Sequence, residues 1–182
     1  NTPPPFTGTF DGNNHTITGL TINRPDESHI GLFGYTEETA SISNLSVRDL
    51  TVTGESNVGG LVGFSDGTIT DASASGNVTG TEDVGGLVGR NRGGTIRETC
   101  AVGSVTGTDL VGGLIGFSDR AGQHSYYDIE ATGQTKSGGD VSGLTTAEMQ
   151  GQAAKTNMSG LNFDSVWQIQ QNDYPVLKVQ VT

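Results

Sequence analysis

Few side chains in this sequence have the type and spacing that chemistry at a site requires. His15, His29 and His124 are the only histidines, and no two of them have the spacing of metal ligands. Asp11 and Gly12 begin an Asn-rich stretch, but no twelve-residue calcium loop ending in Glu follows. We interpret this stretch as an Asp-Gly turn, and we predict neither a metal site nor a cofactor.

One pair of acids has a spacing that hydrolysis could use. Asp71 and Glu98 occupy the same position of a repeat described below, and Asn44 precedes them by one repeat. On adjacent strands of a parallel sheet they would lie roughly 5 Å apart. Acid–base hydrolysis of a glycoside needs two carboxylates about 5–10 Å apart. Two acids on a solvated face explain the pattern as well, so we predict no enzyme and keep a glycan-active enzyme as the alternative.

Cys100 is the single cysteine, so no internal disulfide can form. Nothing in the sequence marks a catalytic His–Cys pair, and we interpret this thiol as inert. The glycosylation pattern Asn-x-Ser/Thr is a second kind of candidate site. It occurs at four asparagines, which are Asn14, Asn44, Asn77 and Asn157.

The charge balance excludes several partners. Twenty Asp and Glu against nine Lys and Arg give a net charge of −11. Binding of nucleic acid or anionic lipid needs clustered Lys and Arg, so we predict no nucleic-acid partner. No apolar run reaches the roughly 18 residues of a membrane span, so we predict no membrane insertion. The acidic, lysine-poor composition suits a salt-rich habitat, and it fits an ordinary acidic surface equally well.

The elements that position these residues follow from an internal repeat. The phrase Gly-Leu-(apolar)-Gly begins at residues 31, 60, 86 and 113, a period of about 27 residues. Its fixed members are Gly31, Leu32, Gly34, Gly60, Leu61, Gly63, Gly86, Leu87, Gly89, Gly113, Leu114 and Gly116. Apolar columns recur at the same period, namely Ile17, Ile42, Ile69 and Ile96, and Val52, Val78 and Val105.

These columns predict short strands. Segments such as Thr51-Val52-Thr53 alternate polar and apolar residues with the period of two that a strand requires. Short strands at a fixed repeat cannot bury their inner faces alone, so they stack into coils. We therefore predict an all-β fold in which residues 1–128 form a right-handed parallel β-helix, or β-solenoid.

The glycines receive two predicted roles. Those that follow a strand, Gly54, Gly80 and Gly107, are predicted to take the left-handed conformation at corners. Those of the Gly-Leu phrase are predicted to let backbones approach closely. The pattern leaves open which of Leu61 and Val62 faces the core.

The repeats resemble the GLUG-motif family, which is named for the Gly-Leu-(apolar)-Gly phrase. The resemblance includes the lead-in of residues 6–12 and the link Gly67-Thr68-Ile69, and it covers most of residues 6–128. Similar repeats occur in bacterial and archaeal cell-surface proteins, in adhesins and in non-catalytic parts of immunoglobulin A-cleaving metallopeptidases. The resemblance implies a secreted module of a larger surface protein. It implies no peptidase activity, because the chain has no His-Glu-x-x-His.

Residues 129–182 depart from the repeat, and we predict that they form a C-terminal cap with one short helix. Thr145 and Glu148 have the spacing of a capping box, so the helix should cover about residues 146–154. Trp167 and Tyr174 belong to an aromatic and aliphatic stretch that could close the open end of the solenoid. The alternative is an aromatic ligand pocket around these two side chains.

The leading functional hypothesis is a non-enzymatic extracellular or cell-surface module, an adhesive or structural stalk of a larger protein. Its partners would be a surface glycan, a surface protein or other copies of itself. A further alternative is ice binding, because regular threonine arrays on flat solenoid faces can order water. We expect two outward ladders, one of Thr16, Thr18, Ser41, Ser43, Thr68, Thr70, Thr95 and Arg97, and one of Thr53, Thr79 and Thr106. Arg97 and the serines interrupt the threonine array of the first ladder.

Overall fold

A computed structural model describes residues 4–179. Its main body is a parallel β-solenoid of about four coils, built from three parallel sheets. The predicted all-β parallel solenoid is therefore confirmed, while its right-handed sense remains a prediction.

The long sheet forms one wall of the solenoid. Its strands are β1 (Thr9–Thr18), β2 (Thr21–Asn23), β4 (Ser41–Thr53), β7 (Thr68–Thr79), β10 (Thr95–Val102), β11 (Val105–Thr106), β14 (Tyr126–Asp128) and β15 (Ser142–Leu144). A three-strand sheet contains β5 (Ser56–Gly59), β8 (Glu82–Gly85) and β12 (Asp109–Gly112). A four-strand sheet contains β3 (Phe33–Thr36), β6 (Val62–Ser65), β9 (Val88–Asn91) and β13 (Ile115–Ser118).

The strand register confirms the apolar columns in the second to fourth coils. Ile42, Ile69 and Ile96 lie opposite one another, as do Val52, Val78 and Val105. All six are buried, because the inner face of the long sheet closes the hydrophobic core.

The predicted register of the first coil is wrong. Phe10 lies opposite Ile42, while Ile17 lies opposite Val47. The register shifts between Asp11 and His15, where β1 has two more residues than β4. As a result, Thr16 and Thr18 pair with Ser46 and Arg48, and the first ladder begins instead with Thr9 and Asp11.

The two short sheets meet with no side chain between their backbones. A Cβ atom added to Gly63 would lie 2.6 Å from the carbonyl carbon of His29, and one added to Gly89 would lie 2.4 Å from the nitrogen of Val58. Real Cβ atoms essentially never approach closer than 3.0 Å. The predicted close approach at the Gly-Leu phrase is therefore confirmed.

Gly54, Gly80 and Gly107 lie at corners as predicted, since each directly follows β4, β7 or β11 and precedes a strand of the three-strand sheet. The left-handed conformation predicted for them is wrong, because none of them has a positive φ. Each instead leaves room for apolar side chains of the core. A Cβ on Gly54 would lie 2.7 Å from Cγ1 of Ile30, and one on Gly80 would lie 2.8 Å from Cγ2 of Val84.

The Gly-Leu phrase forms the corner between the short sheets, since β5 ends at Gly59 and β6 begins at Val62. Leu61 and Val62 are both fully buried, and both belong to the hydrophobic core. Leu87 and Leu114 are equally buried, whereas Leu32 in the first coil is only partly buried.

The C-terminal segment begins with α1 (Ile129–Thr132), and residues 136–138 continue the solenoid. The amide of Gly113 donates to the carbonyl of Lys136, and the amide of Gly138 donates to that of Ile115. This stretch therefore lies on the fourth coil at its open edge.

The capping box of Thr145 and Glu148 is confirmed. The single helix predicted after it is wrong, because α2 (Thr146–Met149) and α3 (Gly151–Asn157) are separate. Gln150 between them has the extended ψ of 152°, and Gly151 has a φ of 56°, so the helical path is broken there.

The rest of the segment lies along the outer face of the long sheet. It ends in an antiparallel hairpin of β16 (Trp167–Gln170) and β17 (Asp173–Leu177). A second hydrophobic cluster joins the two parts, and it contains Cys100, Tyr126, Met149, Ala154, Met158, Leu161, Trp167 and Leu177. The aromatic residues predicted to cap the solenoid thus cover its side.

Candidate binding surface

The predicted acidic pair lies beneath the C-terminal segment. The hydroxyl of Thr70 is 3.2 Å from Oε2 of Glu98 and 3.4 Å from Oδ2 of Asp71. The indole of Trp167 donates to Oδ1 of Asp71 at 3.1 Å. Arg97 contacts Glu98 at 3.3 Å. The carboxylates of Asp71 and Glu98 therefore both lie beside the hydroxyl of Thr70. Through its hydrogen bond with Trp167, Asp71 also joins the hairpin to the solenoid.

The surroundings of Asp71 shift the pKa of its carboxyl upward. Burial raises the pKa of this carboxyl, and the negative charge of Glu98 raises it further, against the hydrogen bonds that lower it. Because the indole of Trp167 covers one carboxylate oxygen, the approach of a sugar ring to this pair from that side is blocked.

A column of left-handed residues was missed by the sequence reasoning. Asn44, Asp71, Glu98 and His124 have φ values of 55°, 49°, 57° and 50°. Asn44, Asp71 and Glu98 bend β4, β7 and β10 at the same place in successive coils, and His124 has the equivalent position just before β14. Asn and Asp tolerate this conformation better than most residues, so Asn44 above Asp71 was the available signal.

A second acid holds the C-terminal segment at the last coil. Asp128 is fully buried, and its carboxylate accepts hydrogen bonds from the amides of Glu130 and Ala131 and the hydroxyls of Thr146 and Tyr174. Burial raises the pKa of Asp128, but these four hydrogen bonds outweigh it and lower the pKa. Burial and the contact with Asp128 raise the pKa of Tyr174 to about 12. Asp128 and Tyr174 therefore act as a structural anchor.

The other predicted sites have varied surroundings. The ladder of Thr53, Thr79 and Thr106 is in register, as predicted. Among the glycosylation candidates, Asn77 and Asn157 are exposed and Asn14 is buried, while Asn44 donates a hydrogen bond to Asp11. Within residues 4–179, no group of three His, Cys, Asp or Glu side chains lies close enough to hold a metal ion.

An outward row of aromatic and arginine side chains crosses the four-strand sheet. Tyr35, Phe64, Arg90 and Phe117 lie opposite one another on β3, β6, β9 and β13, and each is partly exposed. We call these four residues and Arg92 the aromatic stripe. Each of the four follows the last glycine of a Gly-Leu phrase, a signal that the sequence reasoning did not use.

The rings and guanidinium groups of the stripe contact one another. The rings of Tyr35 and Phe64 have centroids 5.2 Å apart in an edge-to-face arrangement. The guanidinium of Arg92 lies 5.3 Å from the ring centre of Phe64, and that of Arg90 lies 4.7 Å from that of Phe117. Such cation–π contacts hold both arginines against the sheet.

Two aspartates neutralise these arginines. Asp66 accepts two hydrogen bonds from Arg92, at 3.2 and 2.5 Å, and a third from the hydroxyl of Tyr35 at 3.2 Å. Asp83 is 2.9 Å from Arg90 and is itself only 2% exposed. Burial first, and then the charge of Asp66, raise the pKa of Tyr35. The stripe therefore presents neutral rings between paired charges.

Gly63, beneath the aromatic stripe, allows His29 to lie beside the stripe. Because Gly63 packs on the backbone of His29, the imidazole of His29 lies 5.6 Å from the ring of Phe64. Burial lowers the pKa of His29, so the neutral imidazole is favoured there.

Helices contribute little to this molecule, and among its described residues none is long and apolar enough to cross a bilayer.

Comparison with known proteins identifies the repeat. Residues 54–79 match the family model described as "The GLUG motif", so the presence of this motif is confirmed. Halomucin of Haloquadratum walsbyi is 42% identical over 73 residues, which cover 40% of this chain and 1% of halomucin. A putative Gly-rich membrane protein of Evansella cellulosilytica is 41% identical over 71 residues, covering 37% of this chain and 8% of that protein. The chain thus matches a small part of each relative, and no solved structure matches it.

Proposed function

We propose that this GLUG-motif β-solenoid is a non-enzymatic extracellular module, an adhesive or structural stalk of a larger cell-surface protein. The observation that carries the proposal is its relationship to small parts of much longer proteins, 1% of halomucin and 8% of a putative Gly-rich membrane protein.

The fold suits a stalk for a physical reason. Each repeat of about 27 residues adds one strand to each sheet, and therefore about 4.8 Å to the axis. Backbone hydrogen bonds run along that axis between every pair of coils, as from the amide of Leu87 to the carbonyl of Leu114. Such a stack resists bending without disulfides, and Cys100 could form none within the chain.

The fold also suits adhesion, because each coil presents equivalent side chains at a constant spacing. A surface of this kind binds a repetitive partner at several points, and the combined affinity exceeds that of each contact. The net charge of −11 keeps the remaining surface hydrated and soluble.

Deletion of the coils from the full-length parent protein tests the proposal. We expect the whole module, residues 4–179, to be removable in frame, with loss of cell attachment to surfaces and no change in envelope integrity. Replacement of the same residues by an unrelated rigid spacer of equal length separates the two roles, since a stalk regains attachment and an adhesive surface does not. Unchanged attachment and unchanged surface assembly after the deletion would contradict both.

A further inference from the structure

We infer that the N-terminal end of the solenoid is a docking surface for one further parallel coil, which the polypeptide upstream of this chain supplies in the parent protein. We call this surface the end face. It consists of the free edges of β1, β2 and β3 and the side chains of Phe10, Ile17, Ile22, Leu32 and Phe33. The inference rests on one part of the proposed function, that the chain belongs to a longer protein, and it does not depend on adhesion.

The apolar side chains of the end face lack the cover that their counterparts in the next coil have. Phe10 is 37% exposed, whereas Ile42 opposite it is fully buried. The other four side chains pack on the core but are only partly buried. Their equivalents in the second coil are all fully buried, namely Val47, Val52, Leu61 and Val62. The end face therefore has the composition of a contact between coils, and it lacks only the coil before it.

The backbone at this end also has unused hydrogen-bonding groups. Among residues 4–179, β1 and β2 pair only with β4, and β3 pairs with β6 and touches only Phe6 on its other side. Backbone groups of a parallel strand point alternately to its two sides, so all three strands present N–H and C=O groups outward. The bulge between Asp11 and His15 divides the edge of β1 into two pairing stretches, as it does toward β4. An apolar surface bordered by such edges matches another parallel coil.

Phe6 shows the path by which the upstream polypeptide reaches the end face. It forms a parallel bridge with Thr36 of β3, which pairs with β6 on its other side. The amide of Phe6 donates to the carbonyl of Tyr35 at 2.8 Å, and its carbonyl accepts from the amide of Glu37 at 3.0 Å. The chain thus enters the first coil along the free edge of the four-strand sheet, where a preceding coil would end. One full coil needs about 27 residues, the period of the repeat.

The other end of the solenoid is closed, which argues against a second copy stacked head to tail. Leu114 and Ile115 in the fourth coil are fully buried. Tyr127, which is 3% exposed, packs directly on Gly113, and Val141 packs on the same core. A second copy would have to displace Tyr127 before its fourth coil could meet the end face.

Hydrogen exchange of two purified proteins tests the inference: this chain, and the same chain extended at its N-terminus by the preceding 27 or so residues of the parent protein. We expect amides on the free edges of β1, β2 and β3 to exchange about tenfold more slowly in the extended chain, because each gains a hydrogen bond. Amides of β7, which lies between β4 and β10, should exchange equally in both proteins. A matched control that carries an equally long Gly/Ser extension should exchange like this chain.

A pair of substitutions tests the apolar part of the end face. Phe10→Ala should lower Tm more in the extended chain than in this chain, because the added coil buries the ring that is 37% exposed here. Phe64→Ala is the matched control, since Phe64 lies in the aromatic stripe on the outside of the second coil. It should lower Tm by the same amount in both proteins.

Three results would overturn the inference. They are unchanged exchange of β1 in the extended chain, equal loss of Tm for Phe10→Ala in the two proteins, and protection of β1 in this chain that rises with protein concentration. The last result would assign the end face to a second copy. None of them affects the deletion experiment, which measures attachment of cells. Unchanged attachment after the deletion, together with protection of β1 by the extension, would retain the end face and remove the proposed function.

Discussion

Substitution of Gly89 by alanine probes the contact between the two short sheets. The added Cβ would lie 2.4 Å from the nitrogen of Val58, 2.5 Å from the carbonyl carbon of Asn57 and 2.6 Å from the carbonyl oxygen of Gly63. All three obstacles are backbone atoms, so no side chain can rotate away. Ordinary contacts of a Cβ begin at 3.4 Å, so the sheets would have to separate locally by about 1 Å.

The cost follows from the rigidity of that contact. Overpacking of a core costs typically about 1–3 kcal/mol, and a clash with backbone on two sides belongs at the upper end. We therefore expect Gly89→Ala to lower the free energy of unfolding by about 3 kcal/mol. For a domain of this size each kcal/mol lowers Tm by about 2–4 °C, so Tm should fall by about 6–12 °C.

Gly93→Ala is the matched control, because a Cβ there would meet only Oδ1 of Asp66 at the ordinary distance of 3.7 Å. Its free energy of unfolding should remain the same or rise by up to about 1 kcal/mol, since alanine restricts the unfolded chain. Urea unfolding followed by far-ultraviolet circular dichroism gives both values. Equal stability of Gly89→Ala and Gly93→Ala would refute the backbone-to-backbone packing.

Three further expectations follow from buried or exposed groups. Asp128→Asn should lower the free energy of unfolding by about 3 kcal/mol at neutral pH. Because folding lowers the pKa of Asp128 below its ordinary 3.8, that stabilisation is present above pH 3.8 and is lost as the pH falls through the lower folded value. The stabilities of the parent and Asp128→Asn should therefore converge in acid. As a control, Asp140→Asn at an exposed position should be as stable as the parent at every pH. Burial raises the pKa of Cys100 to about 12, so a thiol reagent should label it in denaturant and not in the native protein; rapid native labelling would contradict its burial. In folded protein secreted from a eukaryotic host, peptide mass mapping should find glycan on the exposed Asn77 and none on the buried Asn14, and a glycan at Asn14 in folded protein would contradict the burial of that side chain.

The solenoid could be predicted from sequence because its signal is repeated. Val52, Val78 and Val105 each face the same core position, so the period-two pattern and the 27-residue period support each other. The first coil was misaligned because the shift between Asp11 and His15 occurs once and has no second copy to reveal it.

The repeat pattern does not predict contacts between segments that are distant in sequence. Trp167 is 96 residues from Asp71 in sequence, and the hydrogen bond between them has no equivalent on other coils. The docking of the C-terminal segment on the side of the solenoid was therefore not predictable from its aromatic content. The aromatic stripe was missed for another reason, since Arg90 interrupts the aromatic residues in the column and hides the pattern.

The sideways docking of the C-terminal segment changes how the molecule should come apart. In a simple stack of coils, each coil contacts only its neighbours, and the last one can fray alone. Here the segment contacts Arg48 in the second coil, Asp71 in the third and Tyr126 after the fourth. Fraying of the last coil must therefore break contacts two coils away, and a force that pulls on the C-terminus is shared among the coils before any one of them peels off.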